Sequence, residues 1–181
     1  NYSMVKKSIL HTLIASSALT FAITTAYALP VTGGTINFTG KVVDASCTVS
    51  AGSSTQTITM EPVSTTRLKV VGDTANPTDV PIVLEECNTN TSNTVQVLFS
   101  GNSVSGDSTV LSLTDNGNSA KQVGIKLYDS ENNEIKLDEM TSPFSLTTGE
   151  TTLNFTAKYY ALGQAEAGDV NATATFTMIY P

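Results

Sequence analysis

The stretch Ala172-Thr173-Ala174-Thr175-Phe176-Thr177-Met178-Ile179-Tyr180-Pro181 alternates polar and apolar residues almost without a break. Period-2 alternation puts successive side chains on opposite faces of a strand, so Ala174, Phe176, Met178 and Tyr180 share one face. Between 171 and 181 there is no charged residue. Proteins blunt a free sheet edge with charge or proline, because unpaired backbone groups recruit other chains. A strand this clean and this uncharged either pairs inside its own domain or pairs with another chain.

Working upstream, the same pattern recurs in short runs separated by Gly, Asn, Asp and Pro. Alternating or β-rich runs fall at 35–39, 41–43, 47–49, 56–60, 80–84, 95–99, 110–113, 123–128, 134–137 and 153–161. Pro81 marks a strand start or an edge, since it has no N–H to give a ladder. No segment carries helical periodicity. Many short strands rich in Thr and Val predict an all-β sandwich of one domain.

Composition removes most enzymology. Of 181 residues, 14% are charged, and nine basic against sixteen acidic residues give a net charge of −7. That balance lacks the basic footprint of a nucleic-acid binder, so no nucleic-acid partner is expected. There is one histidine, His11, and there are two cysteines, too few for a zinc-finger cluster. The acidic pairs Glu85-Glu86 and Asp138-Glu139 read as solvated surface, with no EF-hand spacing around them. No catalytic residue, metal ligand or cofactor is expected.

The N-terminal stretch reads as a targeting segment. Residues 1–3 precede Met4 and read as lying upstream of the native start. Lys6-Lys7, an apolar run from Ile9 to Ile23 and Ala26-Tyr27-Ala28 then give the basic region, apolar core and A-x-A site of a secretory signal peptide. The run is too interrupted and too short for a membrane span. Cleavage after Ala28 leaves residues 29–181, without His11, so a Ser-His-Asp triad or an imidazole metal site is not available. In an exported chain the lone pair Cys47 and Cys87 is expected to form a structural disulfide. Redox pairs have C-x-x-C spacing, which these lack. The loop closed is worth about 3–4 kcal/mol by chain entropy.

The stretch Gly33-Gly34-Thr35-Ile36-Asn37-Phe38-Thr39-Gly40-Lys41-Val42-Val43-Asp44-Ala45-Ser46-Cys47-Thr48-Val49 resembles the N-terminal extension and first strand of chaperone–usher pilins, most of all the major subunits of type 1-like fimbriae. The likeness continues through Cys87 and residues 154–161 to Gly168, fourteen places from the C-terminus, and the penultimate Tyr180. It implies an incomplete immunoglobulin-like β-sandwich that lacks its final strand and is completed by donor-strand exchange. It further implies three parts: residues 1–28 removed, residues 29–40 a donor-strand extension, and residues 41–181 the pilin domain. Carried over by position, the donor face is Gly34, Ile36, Phe38, Gly40 and Val42. The acceptor groove and chaperone-contact strand are Gly168, Ala174, Phe176, Met178 and Tyr180.

The implied function is that of a structural subunit of a surface fimbria that supports adhesion. Its implied partners are neighbouring copies of itself, a periplasmic chaperone, an outer-membrane usher and tip or adaptor subunits. A minor or adaptor subunit shares all these motifs and stands as the alternative. An exported β-sandwich binding protein or enzyme is the reading the residues alone leave open; the second lacks a histidine and a nucleophile elbow.

Overall fold

The computed structural model describes residues 34–40, 42 and 45–181, and the expected signal peptide lies outside them. Contacts divide the chain at Gly40, and residues 41–181 form one compact unit. Its strands are β1 (Thr48–Val49), β2 (Thr74–Cys87), β3 (Thr94–Gly101), β4 (Ser103–Val104), β5 (Asp107–Leu111), β6 (Lys121–Tyr128), β7 (Phe144–Ser145), β8 (Gly149–Glu166) and β9 (Ala174–Ile179). One short helix, α1 (Ala51–Ser54), and a 3-10 turn over Thr65–Arg67 interrupt them.

The strands form two sheets, one of six strands in the order β1-β2-β8-β6-β5-β4 and one of three in the order β7-β3-β9. Every strand pair is antiparallel. This is the all-β sandwich that the alternation predicts, and it is consistent with the immunoglobulin-like fold that the resemblance implies. The longest strand, β8, lies between β2 and β6 and carries the core on one face through Leu153, Phe155, Ala157, Tyr159 and Ala161. Phe155 is met edge-on by Phe99 from β3 and by Phe144 from β7, with ring centroids 5.0 and 5.4 Å away. Such T-shaped pairs set the positive ring edge against the negative face.

Two devices fix the ends of the domain. Cys47 and Cys87 are bonded, as expected from export and the isolated pair. The Tyr180 hydroxyl donates to the Cys47 carbonyl at 3.2 Å, so the chain end is held beside the disulfide.

Four expectations need correction. Residues 56–60 alternate as a strand does, but they pair with no described strand. Residues 134–137 contribute only an isolated bridge between Glu134 and Tyr128. A single helical turn exists where none was read; four residues are too few to show a period. Ser50 caps it by accepting from the Ser53 N–H at 3.2 Å. Pro81 is not a strand start. It sits within the fourteen-residue β2, at a level where β8 alone pairs with that strand, so its missing N–H costs no ladder bond.

Candidate strand-accepting groove

The candidate site is built from an unpaired edge. β9 pairs with β3 from Gln96↔Ile179 to Gly101↔Ala174 and is the last strand of its sheet. Its other edge faces a groove of about 1020 Å³. The opposite rim is the segment 55–60, and the floor includes Ile82, Phe99, Leu127 and Tyr159. The floor is therefore the domain's own core, reached from outside.

Burial along the rims follows the alternation. Val170, Ala172, Ala174 and Phe176 are half-buried and packed on the core, while Thr173 and Thr175 between them face outward. On the other rim Ile58 and Met60 are half-buried, and Thr57 and Thr59 are exposed. Neither rim buries its apolar residues completely. A half-buried stripe on each side of an open apolar floor has the shape of a sandwich short of one strand.

The residues named by position divide among several places. Ala174 and Phe176 line the groove. Met178 and Tyr180 share their face and pack on the core beyond the groove lining. Burial pushes the Tyr180 hydroxyl above the usual tyrosine range. Gly168 sits elsewhere, beside a smaller cavity of about 110 Å³. A Cβ there would lie 2.4 Å from the Ala120 nitrogen and 2.6 Å from the Asn118 carbonyl oxygen. Those atoms are backbone and cannot move aside, so only glycine admits this approach. The contact is sealed by the parallel bridge Ser119↔Asp169 and by the Asn116 amide donating to the Asp169 carboxylate at 3.1 Å.

Within the other unit Ile36 is 76% and Phe38 91% exposed, and Val42, just past the division, is 100% exposed. Gly34 and Gly40 have no heavy atom within 4 Å of where a Cβ would stand. Residues 34–40 form no strand.

Sequence reasoning passed over the second rim's supports. The Ser53 hydroxyl accepts from the Val83 N–H at 2.9 Å. The Gln56 amide donates to the Pro81 carbonyl at 3.1 Å, and the Asn76 amide donates to the carbonyls of Glu61 and Pro62 at 3.0 Å each. These are isolated polar residues with no motif, so only their positions in space disclose them. Among the described residues, no three His, Cys, Asp or Glu side chains converge as metal ligands would.

A sequence profile described as "Fimbrial protein" matches residues 36–181. The chain belongs to the fimbrial protein family. It is 40% identical over 168 residues to the type-1 fimbrial protein C chain of Escherichia coli, an alignment covering 91% of this chain and 93% of that one. To the type-1 fimbrial protein A chain of Escherichia coli it is 38% identical over 178 residues, covering 93% and 96%. A solved chaperone–usher pilus, whose structure addresses rod uncoiling, matches 86% of this chain and 100% of its own with a TM-score of 0.67 and 27% identity. This fimbrial protein is thus a pilin of the chaperone–usher type. It is a structural subunit, not an enzyme, and it assembles with other subunits into surface filaments.

Proposed function

We propose that this pilin polymerises by donor-strand exchange. The face made by Gly34, Ile36, Phe38, Gly40 and Val42 inserts into the groove of a neighbouring copy, alongside Ala174 and Phe176, with Met178 and Tyr180 continuing the receiving strand. The observation that carries this reading is complementarity within one chain. The groove between β9 and residues 55–60 is open to the core along an unpaired edge, and the same chain exposes an alternating segment with no fold of its own. Strand addition takes affinity from backbone bonds and register from alternate side chains. Burying Ile36 and Phe38 is worth about 1.5–3 kcal/mol each. Gly40 is read as the point where the receiving backbone comes too close for a side chain.

Before assembly the same edge needs a temporary occupant. A periplasmic chaperone takes that part, and an outer-membrane usher is where the next subunit's extension replaces it, with tip or adaptor subunits at the filament end. Export through the periplasm as residues 29–181 follows from this order, and the finished filament supports adhesion. The test is the double replacement Ile36→Asp and Phe38→Asp. Filaments should be lost, while the complex with the chaperone persists, because the extension is not what the chaperone contacts. Normal filaments from the double variant overturn the proposal. Loss of the chaperone complex instead would assign both residues to the subunit's own core.

A further inference from the structure

The two rims of the groove are held in different ways. β9 is fixed by a ladder to β3. Residues 56–60 have no backbone–backbone hydrogen bond to any described residue. Yet this rim follows β2 in the antiparallel sense, since Ser53 meets Val83, Gln56 meets Pro81, and Glu61 meets Asn76. Each of these three attachments uses a side chain where a paired strand would use backbone. The rim is hung from β2 and not zipped to it.

Asn76 is built for this task. It has φ of +51°, in the left-handed region, and it lies in a register break of β2 against β8 between Ala75 and Thr78. A break of this kind re-aims one side chain out of the strand's regular alternation. Here the amide is aimed at two successive carbonyls, those of Glu61 and Pro62, where the rim ends. Asparagine also tolerates positive φ better than most residues do.

We infer that Asn76, assisted by Gln56, is a positioning residue for strand insertion. It holds residues 55–60 off the edge of β2, so that their N–H and C=O groups stay free to pair with the incoming strand. The inference rests on the donor-strand reading and adds what sets the second rim. Without the Asn76 amide, residues 55–60 are free to close onto β2, and the groove is left with one pairing edge.

The experiment uses the full chain carrying Ile36→Asp and Phe38→Asp, which silence its own extension. The probe is a labelled synthetic peptide of residues 32–45. Asn76→Ala is added to that background, with Asn90→Ala in an exposed loop as control. Peptide Kd, melting of the peptide-free chain and amide exchange of residues 55–60 are measured. Asn76→Ala should weaken the peptide about tenfold, the equivalent of ~1.4 kcal/mol. Asn90→Ala should change nothing. In the parent, peptide binding should slow exchange of the rim amides; in Asn76→Ala that slowing should be lost. An unchanged Kd overturns the inference, and so does a fall in melting temperature with Kd and rim exchange unaltered. Should Asn76→Ala fail to fold, Gln56→Ala, which leaves the Asn76 contacts in place, is expected to weaken the peptide severalfold, and an unaltered Kd there also overturns it. A parent chain that binds no peptide refutes the groove reading itself, a result distinct from either.

Discussion

Strands β8 and β9 are written in the same alphabet and end in different states. Both alternate Thr or another polar residue with an apolar one. In β8, ladders on both sides accompany nearly complete burial of the inward residues, with Phe155 only 1% exposed. In β9 one ladder accompanies inward residues that stop half-buried, among them Phe176, although its ring also lies 6.4 Å from that of Phe99. Alternation therefore tells which face a residue takes, and the count of neighbouring strands tells how much of that face leaves water.

The comparison is sharpest in a pair of truncations. Phe155→Ala empties a site enclosed by Phe99 and Phe144 and should cost about 3–5 kcal/mol in equilibrium urea unfolding. Gly168→Ala tests the backbone approach near the junction of the two strands. With no flexible atom to yield, it should cost about 1–3 kcal/mol, read as a lower urea midpoint with an unchanged slope. Phe176→Ala in the peptide-free chain should cost only about 1 kcal/mol, because its side chain is only partly withdrawn from water. The same change measured with the peptide of residues 32–45 bound should cost more than twice as much. Equal costs for Phe155→Ala and Phe176→Ala in the peptide-free chain would erase the distinction drawn between the strands.

An equally small effect is expected at the chain end. Tyr180→Phe removes one hydroxyl donor to the Cys47 carbonyl and should cost about 1 kcal/mol near neutral pH. Burial raises the hydroxyls of Tyr128, Tyr159 and Tyr180 above the ordinary value. The unfolded chain then releases these protons first, starting near pH ~10. Stability should fall as pH rises through that range toward the folded-state values, and Tyr180→Phe should make that fall shallower. An alkaline limb equally steep in the variant would show that Tyr180 contributes nothing to it.

Much of this was legible in the residues. The alternation of 153–161 and 172–181, the expected export signal and the lone cysteine pair point to a disulfide-bonded β-sandwich. What escaped was pairing, which is a relation between distant segments. Residues 56–60 carry the same pattern as β9 but have no described partner, and no property local to Gln56 or Met60 reveals that. The extent of β2 escaped for a related reason. Asn76 and Glu86, both at positive φ, stand at or within register breaks that sequence alternation reads as ends. Gly168 was noticed by its place near the C-terminus, whereas its reason lies in the backbone of Asn118 and Ala120, some fifty residues earlier in the chain.

The bond between Cys47 and Cys87 has a mechanical meaning. The sheet gives β1 only two residues of contact with β2, at Thr48↔Glu85 and Val49↔Leu84. A pull on the chain ahead of Cys47 would peel so short a ladder with little resistance. The sulfur link lies before that ladder and hands the load directly to the end of β2, which is bound along most of its length to β8. Tension entering at the N-terminal side is thus carried by a covalent strut into the longest strand pair of the domain, and the two-residue β1 is left slack.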